Sequence, residues 1–381
     1  MKYIVFYDNE NNSEEERYVI PSCQNKAGYV MGTLSEIGKR VDVLSPSLTK
    51  KNGVYFHRKK YKIDDNITVY LPPTFNVNGY LGRMLRRIWQ WYAIEAFVYS
   101  LVKKGDIVIA YHSVALSRVL RRLKRKKGIK LFLHVEEIYS DVSHNKRHRK
   151  KEEKVFEVAD AFLFPTKNLN QKINKREKPY VISHGTYKSE NIISKKFSDG
   201  RIHCVYAGTF DMEKGGAKMA IKAADFLDDK YCIHILGFGS HDEVKQICTL
   251  IEEREFGKGC EVIYEGEKRG KEFRSFIQQC HIGLSTQNPN KQFNESSFPS
   301  KVLMYMANGL AVVTVKIPVL LESDVSNSLI YYEGNNPLNV ANAIKNCNID
   351  ECDSYRELME LHNKFKTDIG HIIDLLDDFS K

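Results

Sequence analysis

Ser297-Phe-Pro-Ser-Lys-Val-Leu-Met-Tyr-Met-Ala-Asn-Gly-Leu-Ala-Val-Val313 is the stretch that decides how this chain reads. It parses as a loop, a short helix opened by Ser and Pro, a stop at Gly309 and an apolar strand. The start of such a helix presents backbone N–H groups to an anion.

Around it, short apolar strands alternate with longer amphipathic segments, the pattern of parallel α/β sheets. Residues 3–7, 41–44, 106–111, 130–134, 161–165 and 180–183 predict one sheet, and 202–207, 231–236, 261–264, 282–285, 311–315 and 329–332 a second. Between them, 188–200 is polar and poor in core residues and reads as a linker separating domains 1–187 and 201–353. Segment 354–381 carries Leu358, Leu361, Phe365, Ile369, Ile372, Ile373 and Leu376 at helical spacing. Two Rossmann-like halves follow, with ligands expected at the carboxyl ends of their strands.

The chain has 381 residues, 42% hydrophobic and 11% aromatic, enough for two cores and unlike a tail or linker. Its formal charge is +10, and Lys and Arg crowd the first half at Arg83, Arg86, Arg87, 118–130 and 146–154, which points to an anionic surface or substrate. Eight cysteines lack a Cys-x-x-Cys pair, and Cys204, Cys232 and Cys280 sit in or beside apolar runs, as reduced thiols of a cytoplasmic protein would. The apolar stretch at the amino end is too short for a signal peptide, and no segment has the roughly 20 apolar residues of a membrane span. Twelve histidines are dispersed without His-Glu-x-x-His, so no metal centre is expected.

Segment 297–313 resembles the Pro-Ser-Lys-x-x-Glu-Tyr-Met-Ala-x-Gly-x-Pro-Val signature of retaining family-four glycosyltransferases with the GT-B fold, of the kind used in bacterial capsular, exopolysaccharide or O-antigen synthesis. The resemblance implies two Rossmann-like domains facing a central cleft. It assigns Ser297, Phe298, Pro299, Ser300 and Lys301 to the diphosphate and ribose of a nucleotide-sugar donor. The signature's ribose-binding Glu is Met304 here, and its partner acid falls on Ser296, with Glu295 beside it. Segment 202–216 resembles the family's Gly-Arg-Leu-x-x-x-Lys-Gly element: Gly208 and Lys214 match, Thr209 replaces Arg, and the backbone of Thr209 and Phe210 faces the diphosphate in that register. By the same resemblance Gly237 lines the nucleotide pocket and Tyr264 covers the base, although a tight turn and a core tyrosine are equally good readings of those two. Asn25 to Gly28 matches the loop that precedes a helix and faces the donor phosphates. His134, Glu136, Glu137 and Tyr139 cluster at the end of an apolar strand, and in the family this strand end supplies residues contacting the transferred sugar and the acceptor hydroxyl, a role that falls to His134 and Glu137. The C-terminal helix is expected to pack back toward the first domain.

The implied activity is metal-independent retaining transfer of a hexose from a nucleoside diphosphate sugar, with UDP expected, to a glycan or lipid-diphosphate-linked acceptor. No cofactor is implied beyond the donor substrate. Helix 81–99 combines Arg with Trp89, Trp91 and Leu, so it reads either as a peripheral anchor on an anionic membrane, at the inner face of the cell membrane, or as a core helix with a basic face. Two other classes stay open: a GT-B sugar-nucleotide epimerase, and a basic nucleic-acid-binding protein. The basic runs lack interleaved aromatics, which disfavours nucleic acid as a partner.

Overall fold

The computed structural model describes residues 1–8, 14–143, 145–211, 215–254, 259–290 and 297–378. The chain forms two compact units: Met1–Pro165, Leu169–Thr186 and Lys364–Lys381 make unit 1, and Thr166–Asn168 with Tyr187–Asn363 make unit 2.

Unit 1 is built on ten strands: β1 (Lys2–Ile4), β2 (Val41–Leu44), β3 (Tyr55–Phe56), β4 (Lys59–Lys62), β5 (Ile67–Leu71), β6 (Thr74–Phe75), β7 (Ile107–Tyr111), β8 (Lys130–His134), β9 (Ala161–Phe164) and β10 (Tyr180–Ile182). Eight of them form one sheet in the order β10-β9-β8-β7-β1-β2-β5-β4, and β3 pairs with β6 separately. Strands β7, β8 and β9 are continuous apolar runs because both faces of a parallel sheet are covered. The sequence reading finds six of the sheet's strands and misses β4 and β5. Strand β4, Lys-Lys-Tyr-Lys, is an exposed antiparallel edge whose lysines discourage further pairing, so no apolar run marks it.

Unit 2 carries a six-stranded, wholly parallel sheet in the order β13-β12-β11-β14-β15-β16, from β11 (Ile202–Thr209), β12 (Tyr231–Phe238), β13 (Glu261–Gly266), β14 (Ile282–Ser285), β15 (Ala311–Val315) and β16 (Leu329–Tyr332). All six strands are those the apolar runs predict.

One expectation about connections changes. Segment 188–200 is no loose linker, because it is strapped onto unit 2: Glu190 N–H donates to Ala307 O at 2.8 Å, Phe197 N–H to Gln279 O at 2.9 Å, and Lys196 Nζ to Cys280 O at 2.5 Å. The final helix, Ser354–Asp378, belongs to unit 1 from Lys364 onward. There Phe365 stacks on Tyr29 with centroids 5.4 Å apart, and Lys366 and Asp374 pair with Glu36 and Lys39 at 3.2 and 2.6 Å.

All eight cysteines are free thiols, and no described helix is long and apolar enough to cross a membrane. Part of the basic character is spent internally. Lys124 pairs with Asp160 at 2.5 Å, while Lys127 donates to Tyr99 O and Val102 O, both at 2.5 Å. Arg118, Arg125 and Lys126 stay exposed.

Candidate functional site

The decisive segment folds as read: an eight-residue helix, Ser300–Ala307, starts after Pro299, with no side-chain cap among the described residues, and leads through Gly309 into β15. Val302, Leu303, Tyr305 and Met306 are buried, whereas Lys301 and Met304, three residues apart and so on one helix face, are half-buried. Tyr305 fixes this register. Its hydroxyl accepts from Ala207 N–H at 2.8 Å and donates to Leu284 O at 3.3 Å, tying the helix to β11 and β14. Gly283 makes room for the ring, since a Cβ there would overlap it.

As a result Lys301 crosses the end of β11. Its Nζ lies 3.7 Å from the Tyr206 ring centroid, and a Cβ on Gly208 would stand 2.5 Å from that nitrogen. Gly208 has φ +154°, a conformation open to glycine, and its carbonyl occupies the space a Cβ on Gly237 would need. Ser297, Thr209 and Ser300 are exposed, and Phe298 and Pro299 half-buried, around this ammonium and helix start. The arrangement can hold an oxyanion between a lysine and the first-turn N–H groups of a helix.

Several expected contacts are redistributed. Phe210 N–H donates to Phe238 O at 2.9 Å and the Phe210 side chain is 1% exposed, so its backbone does not serve the anion. Gly237 is buried and answers to backbone packing against Gly208, and so does not line the pocket. The Tyr264 ring is half-buried, 5.9 Å from that of Phe210. Lys214 and Glu295 lie outside the described residues.

In unit 1 the ionisable cluster at the end of β8 is real, but its members divide differently. His134 is 0% exposed, with Nδ1 on the Tyr3 hydroxyl at 2.7 Å and Nε2 on Glu136 Oε1 at 2.7 Å. A ring with both nitrogens taken and no exposed surface cannot reach a sugar, so His134 is a positioning residue for Glu136. Burial holds its pKa below the ordinary value, against the pull of Glu136. For Glu136, burial works upward, yet Lys26 and the His134 hydrogen bond outweigh it and keep the carboxyl below the usual range. Lys26 lies 3.8 Å from Glu136 and also donates to Ser183 O at 2.5 Å and Gly185 O at 3.1 Å. Glu137 is exposed, and its carboxyl is raised, first by partial desolvation and then by Glu136 and Glu152.

Gly28 is not in a loop. The helix begins at Pro21, runs to Glu36, and includes it, with nothing within 4 Å of where a Cβ would sit. Lys26 and Tyr206 are the functional candidates the sequence reading did not single out, and within the predicted cluster Glu136 takes the central place. Lys26 stands beside Gly28 and Glu136 beside Glu137, but their importance comes from contacts with distant strands.

No protein-family model matches the sequence, and no curated protein matches it significantly. Solved structures do match over nearly the whole chain. "OtsA apo structure" aligns with a TM-score of 0.65 at 12% identity, covering 98% of both chains. "Trehalose-6-phosphate from E. coli bound with UDP-2-fluoro glucose" gives 0.63 at 13%, covering 99% of each. An alpha,alpha-trehalose-phosphate synthase (UDP-forming) from Burkholderia xenovorans in complex with glucose-6-phosphate gives 0.62 at 10%, covering 99% of this chain and 100% of that one. Together with the two mainly parallel sheets, these likenesses show that the chain has the GT-B fold of two Rossmann-like units.

Proposed function

We propose that the protein is a retaining glycosyltransferase that moves a hexose from a UDP-sugar to a glycan or lipid-linked glycan acceptor in surface polysaccharide synthesis. One observation carries the reading: Lys301 is held across Gly208 at the end of β11, beside the start of the Ser300–Ala307 helix. A diphosphate leaving group develops negative charge there, and a lysine with helix N–H groups stabilises it without reorganisation. Lys214 is assigned a second phosphate contact. Met304, on the Lys301 face, packs against the ribose.

The leaving phosphate accepts the proton of the acceptor hydroxyl, so no protein base is needed. Glu137 orients that hydroxyl, and the Lys26–Glu136–His134 network keeps the end of β8 in place. That solved structures of the same fold include one bound with UDP-2-fluoro glucose supports the choice of UDP.

For the acceptor, the helix Tyr80–Leu101 exposes Tyr80, Met84, Ile88 and Tyr92, one apolar residue every fourth position, and the α-helix that follows β7, Ser117–Lys127, is basic. Such a row suits peripheral contact with a membrane that presents a lipid-linked acceptor. Incubation with UDP-hexoses and either a lipid-diphosphate glycan or glucose 6-phosphate tests the proposal. Product with the α-anomeric configuration of the donor, on the lipid-linked acceptor, is the expected result. Transfer only to glucose 6-phosphate would overturn the acceptor, and absence of any UDP release the activity.

A further inference from the structure

At the amino ends of β11 and β12, away from Gly208 and Gly237, three side chains share one face of the sheet. His203 is in register with Cys232, and His234 follows Cys232 by two residues, the alternation of a strand. Cys232, His203 and His234 are 0%, 2% and 3% exposed. His203 Nδ1 is 2.8 Å from His234 Nε2, Cys232 Sγ is 3.6 Å from that same Nε2, and ligand atoms of the three lie within 4.8 Å of one another. The outer nitrogen of each ring meets a carboxylate: His203 Nε2 is 2.8 Å from Asp199 Oδ1, and His234 Nδ1 2.9 Å from Glu265 Oε1. Phe197 stacks on both rings, with centroids 4.2 and 5.4 Å away.

A cation between His203 Nδ1 and His234 Nε2 would take the place of their mutual contact while both outer ring nitrogens keep their carboxylates. Ring N–H groups donating outward to carboxylates are how ligating histidines are oriented, and a thiolate with two imidazoles suits zinc. Zn–N of about 2.0–2.1 Å and Zn–S of about 2.3 Å in a tetrahedron require about 3.3 Å between nitrogens and about 3.6 Å from sulfur to nitrogen. The spacing from Cys232 Sγ to His234 Nε2 already fits, and the two ring nitrogens, 2.8 Å apart, need to part by about 0.5 Å.

We propose that His203, Cys232 and His234 supply three ligands of a Zn²⁺ site, oriented by Asp199 and Glu265, that fastens the 188–200 strap to the sheet of unit 2. On binding, the Cys232 thiol releases its proton to solvent and the thiolate ligates the ion. The histidines that look dispersed in sequence are gathered here by strand pairing.

The test uses untagged full-length protein, with elemental analysis as purified and Co²⁺ titration after dialysis against chelator. Expected are about one equivalent of zinc per chain, a Tm that falls on stripping and recovers with Zn²⁺, and a thiolate-to-cobalt charge-transfer band displaced by Zn²⁺. Cys232→Ser should abolish that band, while Cys248→Ser, at a thiol elsewhere, should keep it. If Cys232→Ser does not fold, the wild-type band and its displacement decide. Wild type with neither a cobalt band nor a Zn²⁺-dependent Tm, or a band that survives in folded Cys232→Ser, overturns the site.

Discussion

The Lys301 ammonium rests 3.7 Å from the centre of the Tyr206 ring, in the space that a side chain at Gly208 would fill. The lysine is thus placed by an aromatic face below it and a glycine beside it, on a helix whose register is set by Tyr305. A cation held against a ring face gains an electrostatic contact that fixes its position.

Lys301→Met should therefore weaken UDP binding about tenfold or more, the loss of a charged hydrogen bond of roughly 1.5–3 kcal/mol. Gly208→Ala should weaken it as well, because the new methyl displaces the ammonium. Calorimetric titration with UDP checks both, and unchanged affinity in Lys301→Met removes the phosphate assignment.

Met304 is half-buried on the Lys301 face, so Met304→Glu should fold with little loss. Supplying an acid to the ribose should tighten UDP by less than about 1.5–3 kcal/mol, since desolvation offsets part of the gain. A folded Met304→Glu that binds UDP more weakly would place this side chain away from the nucleotide.

Gly283→Ala drives a methyl into the fully buried Tyr305 ring and should cost at least about 1–3 kcal/mol of stability. Tyr305→Phe leaves Ala207 N–H without its partner and should cost about 1–3 kcal/mol. Urea unfolding measures both. A Gly283→Ala protein as stable as wild type would contradict the packing described for this helix.

Acid should destabilise the protein in two stages. His134 and Glu136 both have folded pKa values below their ordinary 6.5 and 4.5. Between the folded and ordinary values the unfolded chain holds the extra proton, so stability rises with pH in each window. The contribution is complete above 6.5 for His134 and above 4.5 for Glu136, and is lost as pH falls through each folded value. Glu136→Gln should shrink the lower stage in a plot of Tm against pH, leaving the part carried by Glu152, where burial is outweighed by hydrogen bonds to His112 and Ser140 that also lower the carboxyl. A lower stage of unchanged size in that variant would show that another carboxylate carries it.

Ile88, 50% exposed in the row Tyr80, Met84, Ile88 and Tyr92, gives a direct handle on membrane contact. Flotation with anionic vesicles should show binding that fades with salt, each basic residue near the surface adding about 1 kcal/mol. Ile88→Asp should abolish flotation without changing UDP affinity. Equal binding to neutral and anionic vesicles would count against the electrostatic part.

The amino-acid sequence by itself determined the buried parallel strands of both sheets such as β9 and β15, because a strand covered on both faces must be a continuous apolar run. It also determined the Ser300–Ala307 helix, whose Pro start and Gly stop act locally. Exposed β4 left no such trace, since an edge of lysines looks like a loop. Tertiary structure alone decided what the polar residues do. Sequence places His134 and Glu137 side by side at a strand end, yet one is sealed by Tyr3 and Glu136 while the other is exposed. It separates Lys26 from Ser183, His203 from His234, and Tyr206 from Lys301, which long-range packing joins. Backbone propensity and hydrophobic period are carried by neighbouring residues, but burial, pKa and ligand geometry depend on atoms that only the folded chain brings within a few ångströms.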